Sequence, residues 1–572
     1  MANGVMYPKF IGGSYQLDVR MASPELSENM FVENLSETDS NGYTNQILRS
    51  IDGNRSVMTF PQGTIGCRGL TTVGAGPDYR PDMYAVFSDT VYRINEDMTK
   101  IAVGSIGETN TPVRFAESGG VNSHLCMVNG QREIRICSVH ASDEEVATTM
   151  EACPLPVNPY DTRNQDITDL DEGICINATH IVNMGERLIV NDSESGFIFL
   201  SRPGAFQGGT YLAYDLDANG NIIYEADGMT PKTHEENNNT WAWKDRYGKY
   251  NYFHAVSANG DVVKAIETIN AQELWVFGNK SFDIYGFSSD EDGNFSFTRT
   301  GMGTNIGISA PQTLAKIANQ LCWLGSGGDG DNAIWVTSQN AQPRRISTPA
   351  IERYIAKNKS NDAFGFAYNY SGHAFYIISF PTANRTFCYD FTTGMWHNRS
   401  TRDVNTNTLE MWYPSFACNF AGEVYFGTYN ANALVVMDQS KHTEWDGRPI
   451  RRLRRGPVLI SEMSNIIVDM FRIECGTGLT DILQPTEELP NGLSRERQGY
   501  NPKVLMRYSY DGGNTWSFYK TSRLGQAGKY MTNCEFYGLG MGKLFVIEVS
   551  CDDPVDFVIT TSKIKARITR SF

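Results

Sequence analysis

The chain alternates short hydrophobic runs with polar turns, and seven stretches show this pattern most clearly. Each holds two runs rich in aromatic and β-branched residues, separated by polar residues and glycines. Such a stretch predicts a β-hairpin. The seven stretches are Met83–Asn95, His124–Cys137, Glu186–Leu200, Glu273–Phe287, Gln320–Val336, His373–Tyr389 and Glu423–Met437.

These hairpins recur about every 40–60 residues, close to the repeat of roughly 40–50 residues in β-propeller blades. They share a shape and no strict consensus, so a β-sandwich with many hairpins is the structural alternative. Helical signal is scarce. Ala350–Lys357 places Ile351 and Ile355 four residues apart behind Pro349, which predicts a helix of about two turns at most. The fold prediction is therefore all-β, with a propeller as its main part.

Two stretches interrupt the hairpin rhythm and suggest boundaries. Residues 204–261 are polar and rich in Asn, and they predict an insertion that projects from one blade or forms a mobile loop. The pattern of hydrophobic and polar residues changes again near Asp446 and Gly447, where a run of basic residues begins. We predict three parts. Residues 1–60 form an extended segment that closes or flanks the propeller, and residues 61–446 form the propeller with its insertion. Residues 447–572 form a C-terminal β-sandwich-like domain.

The amino-acid composition supports an all-β fold and restricts the kinds of partner that the protein can bind. The 572 residues are 41% hydrophobic, 20% charged and 12% aromatic, with 53 Gly, as expected of a globular chain of aromatic strands and glycine turns. The net charge is −16. Nucleic-acid binders tend to be basic because their affinity comes from neutralising phosphates. The charge argues against tight DNA binding, but it is compatible with an acidic wall past which DNA slides.

The cysteines and the hydropathy of the chain indicate the cellular compartment in which the protein is made. The 11 Cys are scattered without a C-x-x-C pair, which predicts reduced thiols in a protein made in a cytoplasm. We expect no secretory signal, because the first residues lack a basic start and an apolar run. We also expect no membrane insertion, since no stretch approaches the roughly 18 apolar residues of a membrane helix.

The sharpest local motif is SYDGGNTW at 509–516, which fits the Asp-box pattern S-x-D-x-G-x-T-W. The motif predicts a hairpin turn. Ser509 opens it, Asp511 accepts hydrogen bonds from turn amides, Gly513 supplies a positive φ and Trp516 covers the base. Asp boxes recur in sialidases, where they do not catalyse, and this chain has one copy. We interpret the motif as structural.

A second motif resembles a calcium loop. In DLDANGNIIYEA at 215–226, the oxygens would come from Asp215, Asp217 and Asn219. The twelfth position should be Glu but is Ala226, and the flanks are typical of strands rather than helices. The favoured interpretation is an Asn-Gly hairpin, with a calcium site as the alternative.

The one dense basic run is GRPIRRLRR at 447–455. It could contact DNA phosphates along a channel, or form salt bridges with acidic neighbours at an interface of an assembly. The second interpretation is favoured in so acidic a chain, and no aromatic residue is interleaved for base stacking. The candidate interface or channel residues are Arg448, Arg451, Arg452, Arg454 and Arg455.

No catalytic or cofactor motif is evident. The eight His form no H-E-x-x-H or H-x-H pair, and there is no G-x-S-x-G elbow or P-loop. We therefore predict a protein that is not an enzyme and that has no cofactor.

Several segments, taken in order, resemble the packaged-DNA stabilisation, or tail hub and nozzle, proteins of short-tailed bacteriophages. The N-terminal segment shares an N-M element, a leucine–arginine stretch and a D-G turn. The middle shares a "VFG" strand pair, an I-E-R-Y helix and a Y-D-F-x-T-G-x-W strand, and the end shares the DGG-x-x-W hairpin. The segments are Glu28–Arg55, Glu273–Ser288, Gly301–Gly325, Thr348–Trp396 and Tyr508–Ile568.

This resemblance implies a virion protein of the tail, assembled in the host cytoplasm. The family's fold is a β-propeller with further β-domains, arranged as a homohexamer beneath the portal and the adaptor ring. Its function would be to extend and close the DNA exit channel, retain packaged DNA through non-specific contact, and anchor tail fibres or spikes. The insertion at 204–261 departs from the shorter members of the family.

Two other functions remain open on the sequence. One is a carbohydrate-active propeller, either a sialidase-like hydrolase or a lectin, suggested by the Asp box and the many aromatic residues. The other is a receptor-binding tail protein in which residues 204–261 make the contact.

Overall fold

The computed structural model describes residues 4–569 apart from 7–8, 20, 39–43, 62–65, 75–80, 108, 120–121, 158–174, 256–260, 271, 290–294, 301–303, 328–331, 339–341, 404, 462–463 and 489–492. The N-terminal segment is extended and contributes to two different parts of the molecule. Its strands are β1 (Gly4–Met6), β2 (Tyr15–Gln16), β3 (Pro24–Glu28), β4 (Met30–Thr38), β5 (Thr44–Ser50) and β6 (Gly53–Thr59).

The first three blades follow. Blade 1 consists of β7 (Cys67–Val73), β8 (Asp82–Phe87), β9 (Thr90–Ile94) and β10 (Lys100–Ser105). Blade 2 consists of β11 (Arg114–Glu117), β12 (His124–Val128), β13 (Glu133–Ser138) and β14 (Glu151–Pro154), with a 3-10 turn at Val146–Thr149. Blade 3 begins with β15 (Ile181–Met184), β16 (Arg187–Asn191) and β17 (Phe197–Leu200). A two-stranded arm of β18 (Thr210–Tyr214) and β19 (Thr233–Asn237) then precedes the fourth strand of blade 3, β20 (Asn251–His254).

Four more blades complete the ring. Blade 4 consists of β21 (Val263–Asn270), β22 (Glu273–Gly278), β23 (Phe282–Ser289) and β24 (Phe295–Arg299). Blade 5 follows a 3-10 turn at Pro311–Thr313 and consists of β25 (Ala315–Ile317), β26 (Gln320–Ser326), β27 (Asn332–Ser338) and β28 (Arg344–Arg345). After α1 (Pro349–Lys357), blade 6 consists of β29 (Phe364–Tyr370), β30 (His373–Phe380), β31 (Arg385–Asp390) and β32 (Met395–Arg402), with β33 (Leu409–Met411) beside β32. Blade 7 joins β34 (Pro414–Phe420), β35 (Glu423–Thr428) and β36 (Ala433–Asp438) to the N-terminal β6.

The C-terminal strands form two sheets together with the N-terminal segment. They are β37 (Arg452–Arg455), β38 (Leu459–Ile460), β39 (Ile466–Cys475), β40 (Thr486–Glu488), β41 (Ser494–Glu496), β42 (Lys503–Ser509), β43 (Lys520–Arg523), β44 (Cys534–Tyr537), β45 (Met541–Gly542), β46 (Leu544–Cys551) and β47 (Val558–Ile568). One sheet runs β4-β5-β47-β39-β44, and the other runs β3-β37-β46-β42-β43. A single apolar core lies between them and includes Phe471, Phe536, Phe545 and Phe557. The predicted all-β fold, a propeller with a sandwich-like C-terminal domain, is confirmed.

Seven apolar clusters, one at each seam between successive blades, hold the propeller together. The alternation along β8 shows how. Met83 and Ala85 pack against blade 7, whereas Tyr84 and Val86 pack against blade 2. The central strands of a blade are therefore buried on both faces and appear in the sequence as continuous apolar runs. The cluster between blades 7 and 1 closes the ring.

The seven hairpins predicted from the sequence are the second and third strands of the seven blades. The predicted helix is α1, which begins at Pro349 after the N-cap Thr348. The predicted insertion needs a correction at its end. Asn251–His254 form β20, which pairs with β17 and is the outer strand of blade 3, so the inserted arm ends before Asn251.

Two further sequence expectations concern thiols and membranes. All 11 cysteines lie among the described residues, and each is a free thiol. No helix in the described part of the chain is long and apolar enough to span a membrane.

Ring closure at the seam of blades 7 and 1 depends on Gly66, which lies immediately before β7. A Cβ atom there would lie 2.2 Å from the carbonyl oxygens of both Thr428 and Tyr429. We expect Gly66→Ala to separate the two blades and to lower the free energy of unfolding by about 1–3 kcal/mol. Gly74→Ala is the matched control, because no atom of the described residues lies within 4 Å of the corresponding Cβ. Equal denaturation midpoints for the two variants would contradict this account.

Candidate functional site: the junction of propeller and sandwich

The propeller and the sandwich share one continuous sheet. β3 pairs in parallel with β32 of blade 6 and antiparallel with β37, and the sheet continues through β46, β42 and β43. The N-terminal segment thus lies between the propeller and the C-terminal strands. Most of the site residues predicted from the sequence come together at this junction.

Asn29 joins the two sides of the junction. Its side-chain amide donates to the carbonyl oxygens of Ser400 in β32, at 3.0 Å, and of Arg451 before β37, at 2.9 Å. Its side-chain oxygen accepts from the Ser400 amide at 2.9 Å. The residue is buried and has a φ of 53°, a left-handed conformation that Asn tolerates better than most residues. One side chain therefore bonds to the backbones of both domains.

Arg452 and Arg454 lie inside the subunit. In β37 they are opposite Cys551 and Val549 of β46, and both side chains are buried. Arg452 donates to the carbonyl oxygens of Asp553, Val555 and His442 at 2.7–2.9 Å. Unpaired carbonyls of non-strand segments require donors when buried, and a guanidinium with five N–H groups can serve several of them.

Arg454 holds the N-terminal segment against the sandwich. Its guanidinium donates to the carbonyl oxygens of Phe10 at 2.6 Å and Gly13 at 2.7 Å, and to the Glu25 carboxylate at 2.9 Å. Burial lowers the pKa of both Arg452 and Arg454, and nearby carboxylates counteract this shift. The hypothesis that the whole run faces DNA or another subunit is therefore corrected for these two residues.

The opposite face of the same strands carries a row of charges. Arg455 of β37, Glu548 of β46 and Arg507 of β42 are direct cross-strand neighbours. Arg455 donates to the buried Glu548 carboxylate at 2.7 Å, and Arg507 donates to it at 2.5 Å. Trp516 covers both guanidinium groups, whose central carbons lie 4.8 and 4.7 Å from its ring centroid. Arg455 is thus also paired within the subunit.

The Asp box provides the loop that places Trp516. Asp511 accepts from the amides of Asn514 and Thr515 at 2.9 Å, and Ser509 accepts from the Gly513 amide at 2.8 Å. Gly513 has a φ of 97°. Burial acts to raise the pKa of the Asp511 carboxyl, but hydrogen bonds from Ser509, Thr515 and the Asn514 amide outweigh it and lower the pKa to about 2. The carboxylate is occupied by the turn, and Trp516 covers the arginine row.

The remaining two arginines of the run are half-buried. Arg448 pairs with Asp446 at 2.5 Å within its own turn. Arg451 donates to the hydroxyl of Tyr519 at 3.1 Å and lies 3.9 Å from the Asp552 carboxylate. Their charges have partners in the same chain.

The calcium-like motif lies far from the junction, in the arm. Asp217 accepts from the amides of Asn219 at 2.8 Å and Asn221 at 2.9 Å, and Asp215 bonds to His234 at 2.7 Å. Gly220 has a φ of 79°. The carboxylate oxygens of Asp217 accept hydrogen bonds within an Asn-Gly turn. Among the described residues, no group of three or more His, Cys, Asp or Glu side chains is arranged to hold a metal ion.

Sequence reasoning did not identify Asn29, Glu548 or Arg507 as part of the site. Their partners are distant in the sequence: Asn29 and Ser400 are 371 residues apart. A usable signal was present for Glu548 and Arg507, because a charged residue within an otherwise apolar strand requires a buried partner.

The propeller axis is narrow. The first strands of the blades contact one another around it, as β7 does with β34 and β11. A cavity of about 320 Å³ remains, and its lining includes Arg114, Phe115, His180, Glu267 and Phe416. Burial lowers the pKa of Arg114 and raises that of Glu267. This volume is at the lower end of small-ligand pockets.

Comparison with known proteins supports part of the resemblance. The phage stabilisation family model described as "Bacteriophage P22 Gp10, beta-propeller" matches residues 244–442, from the end of the arm through blade 7. This match confirms the resemblance inferred from the sequence. No curated protein matches the chain significantly.

Solved structures give distant likenesses. Virginiamycin B lyase from Staphylococcus aureus with quinupristin has 10% identity and a TM-score of 0.36, covering 71% of this chain and 98% of the lyase chain. BBS1N in complex with ARL6DN has 11% identity and a TM-score of 0.38, covering 68% of this chain and 97% of the other. Neither likeness bears on function.

The structure predicts that Asn29 is required to join the two domains. Asn29→Ala removes the side-chain bonds to β32 and to Arg451 and places an alanine at positive φ. We expect a loss of about 2–4 kcal/mol in the free energy of unfolding, measured by denaturant titration. Asn29→Gly separates the two causes, because it keeps the backbone conformation and loses only the hydrogen bonds. Wild-type stability of Asn29→Ala would refute the assigned role.

Glu444 predicts a dependence of stability on pH. It is buried beside Asn54 of β6, whose amide donates to it at 3.3 Å. Burial raises its pKa from 4.5 to about 7. The unfolded chain therefore releases this proton first as pH rises, so stability is greatest below about pH 4.5 and is lost as pH rises to about 7.

The measurement is the free energy of unfolding of wild type and Glu444→Gln from pH 4 to pH 8. Relative to Glu444→Gln, wild type should lose on the order of 3 kcal/mol across this range. Glu496→Gln, which changes an exposed carboxylate of β41, is the control and should leave the pH profile unchanged. A constant difference between wild type and Glu444→Gln at all pH values would show that Glu444 is not the titrating group.

Proposed function

We propose that this chain, a phage DNA-stabilising β-propeller protein by its family match over residues 244–442, is a subunit of the tail hub or nozzle of a short-tailed phage. In this role a ring of six copies extends and closes the DNA exit channel below the portal and the adaptor. The ring retains packaged DNA and anchors tail fibres or spikes. The family match is the observation that carries the proposal, and the geometry supports it in three ways.

The first support is the filled propeller axis. The inner strands of neighbouring blades contact one another around a cavity of about 320 Å³, which supports a DNA channel that lies between copies of the chain and not within one propeller. Closed rings of identical subunits use heterologous interfaces that repeat around an axis. A ring is therefore the arrangement in which this chain can line a channel.

The second support is the distribution of charge. The chain has a net charge of −16, and its dense basic run is turned inward, with Arg452 and Arg454 buried. The surface is consequently acidic and repels phosphate. Such a wall would let DNA slide with only weak, non-specific contact.

The third support is the continuous sheet of the junction. A backbone ladder from blade 6 to β43 makes the propeller and the sandwich one mechanical unit. A subunit of this kind transmits force from a channel wall to its neighbours without a flexible hinge.

The sandwich also offers a surface for partners such as fibres or spikes. Its loops expose large apolar side chains, including Phe518 at 97%, Met531 at 96% and Tyr530 at 68%. Exposed apolar and aromatic residues are typical of protein contacts. We further propose that the chain is not an enzyme, since its Asp box is used to place Trp516.

The test is assembly with the adaptor. The chain should form six-fold rings when it is mixed with the adaptor ring of the same phage, as seen by native mass spectrometry and by negative-stain images. The adaptor alone and the chain alone are the controls, because the subunit can be monomeric in isolation. Images and masses that never show six copies, with the adaptor present, would refute the hub or nozzle role.

A further inference from the structure

A pocket of about 830 Å³ lies at the base of the arm, on the outer rim of the propeller. One wall comes from the arm, through Tyr211, Arg246 and Tyr247. The other comes from the outer strands of two blades, through Phe253 of β20 and Phe297 of β24. The pocket is separate from the junction and from the propeller axis, and its volume is within the range of small-ligand sites.

The pocket is cationic in an acidic protein. Its lining contains Arg187, Arg202 and Arg246 and a single carboxylate, that of Asp245. Asp245 accepts from the amides of Tyr247 at 2.8 Å and Lys249 at 3.0 Å, so its turn already uses it. The pocket therefore has an excess of positive charge in a chain whose net charge is −16.

Two of these arginines are held by neutral groups. Arg202 donates to the side-chain oxygen of Asn238 at 2.7 Å, and its guanidinium lies 3.5 Å from the centroid of the Tyr211 ring. Arg246 donates to the hydroxyl of Tyr214 at 3.2 Å. Within the described part of the chain, neither guanidinium forms an ion pair with a carboxylate. Arg202 is nearly buried and also donates to the carbonyl oxygens of Trp241 and Asn238, so it supplies positive charge behind the pocket wall. Arg246 is exposed and is the guanidinium placed to contact an external anion, for which its planar shape is well suited.

The aromatic residues of the pocket give it flat apolar faces. Tyr214 and Tyr247 meet edge to face at 5.3 Å, and Tyr247 is 44% exposed. Phe253 and Phe297 stack at 5.0 Å across the seam of blades 3 and 4. Aromatic faces pack against the C–H faces of sugar rings, and tyrosine hydroxyls supply the polar contacts that orient a ligand.

We propose that this pocket binds an acidic saccharide, a sugar that carries a carboxylate or a phosphate. Arg246 would contact the anionic group and the aromatic faces would bind the ring. A single-stranded nucleic acid fits less well, since its binding sites are grooves that follow the backbone with successive aromatic platforms. This pocket is a bounded concavity between the arm and two blades, of a size for about one or two sugar rings.

The experiment is calorimetric titration of the full chain with 3′-sialyllactose and with glucose 1-phosphate, which carry the two kinds of anionic group. Lactose and glucose are the matched neutral sugars, and an eight-residue oligothymidine is the nucleic-acid probe. At least one acidic saccharide should bind at least ten-fold more tightly than its neutral counterpart. The proposal does not depend on the six-fold ring, so its failure and the failure of the assembly experiment are distinguishable.

Two variants locate the binding. Arg246→Gln and Tyr247→Ala change exposed side chains, and each should weaken saccharide binding at least ten-fold with an unchanged unfolding midpoint. Arg495→Gln, which removes an equal charge from an exposed arginine of β41, should bind like wild type.

Three results would overturn the proposal. The first is that neither acidic saccharide binds better than its neutral counterpart. The second is that Arg246→Gln and Tyr247→Ala bind like Arg495→Gln. The third is that the oligothymidine binds more tightly than both saccharides, which would make the pocket a nucleic-acid site.

Discussion

The pairing of one short strand, β3, is the constraint on which the rest of the structure depends. β3 completes hydrogen bonding for the outer strand of blade 6 and for β37 of the sandwich. Without it, both sheets would end in an edge of unpaired backbone groups, which is unfavourable when buried and prone to wrong pairing when exposed. The chain then continues from β3 to β6, which completes blade 7. Neither domain can therefore be completed without the N-terminal segment.

Buried charge at the junction follows from the same constraint. Segments such as 10–13 and 553–555 cross the edges of the sheets without strand partners of their own. Their carbonyl groups require donors, and Arg452 and Arg454 provide them. A buried guanidinium is costly to desolvate unless its hydrogen bonds are made. The carbonyls are satisfied by the two guanidinium groups, and although the Nε atom of Arg452 has no hydrogen-bond partner among the described residues, removing either arginine would leave buried carbonyls without donors.

The centre of the propeller is closely packed, whereas its rim can accommodate inserted segments. Its inner strands pack closely around a small cavity, and the apolar seams fix the blades on both faces. The connection to the outer strand of a blade lies at the periphery, where loops tolerate insertion because they do not disturb the core. The arm enters blade 3 at this position, between β17 and β20. The arm and the neighbouring outer strands together form the cationic, aromatic pocket.

The sequence by itself determined the local elements. The seven hairpins, α1 and the Asp-box turn each depend on residues within about 17 positions of one another, so their patterns were sufficient. Tertiary structure alone decided the partners of β3 and β6, the end of the arm at β20 and the burial of Arg452 and Arg454. β20 is short and only half-buried, so it carries little pattern, and Asn29 bonds to a residue 371 positions away. A run of arginines looks solvent-exposed in a sequence, because most of the carbonyls and the carboxylate that bind it, apart from the nearby His442 carbonyl, come from segments nearly a hundred to more than four hundred residues away.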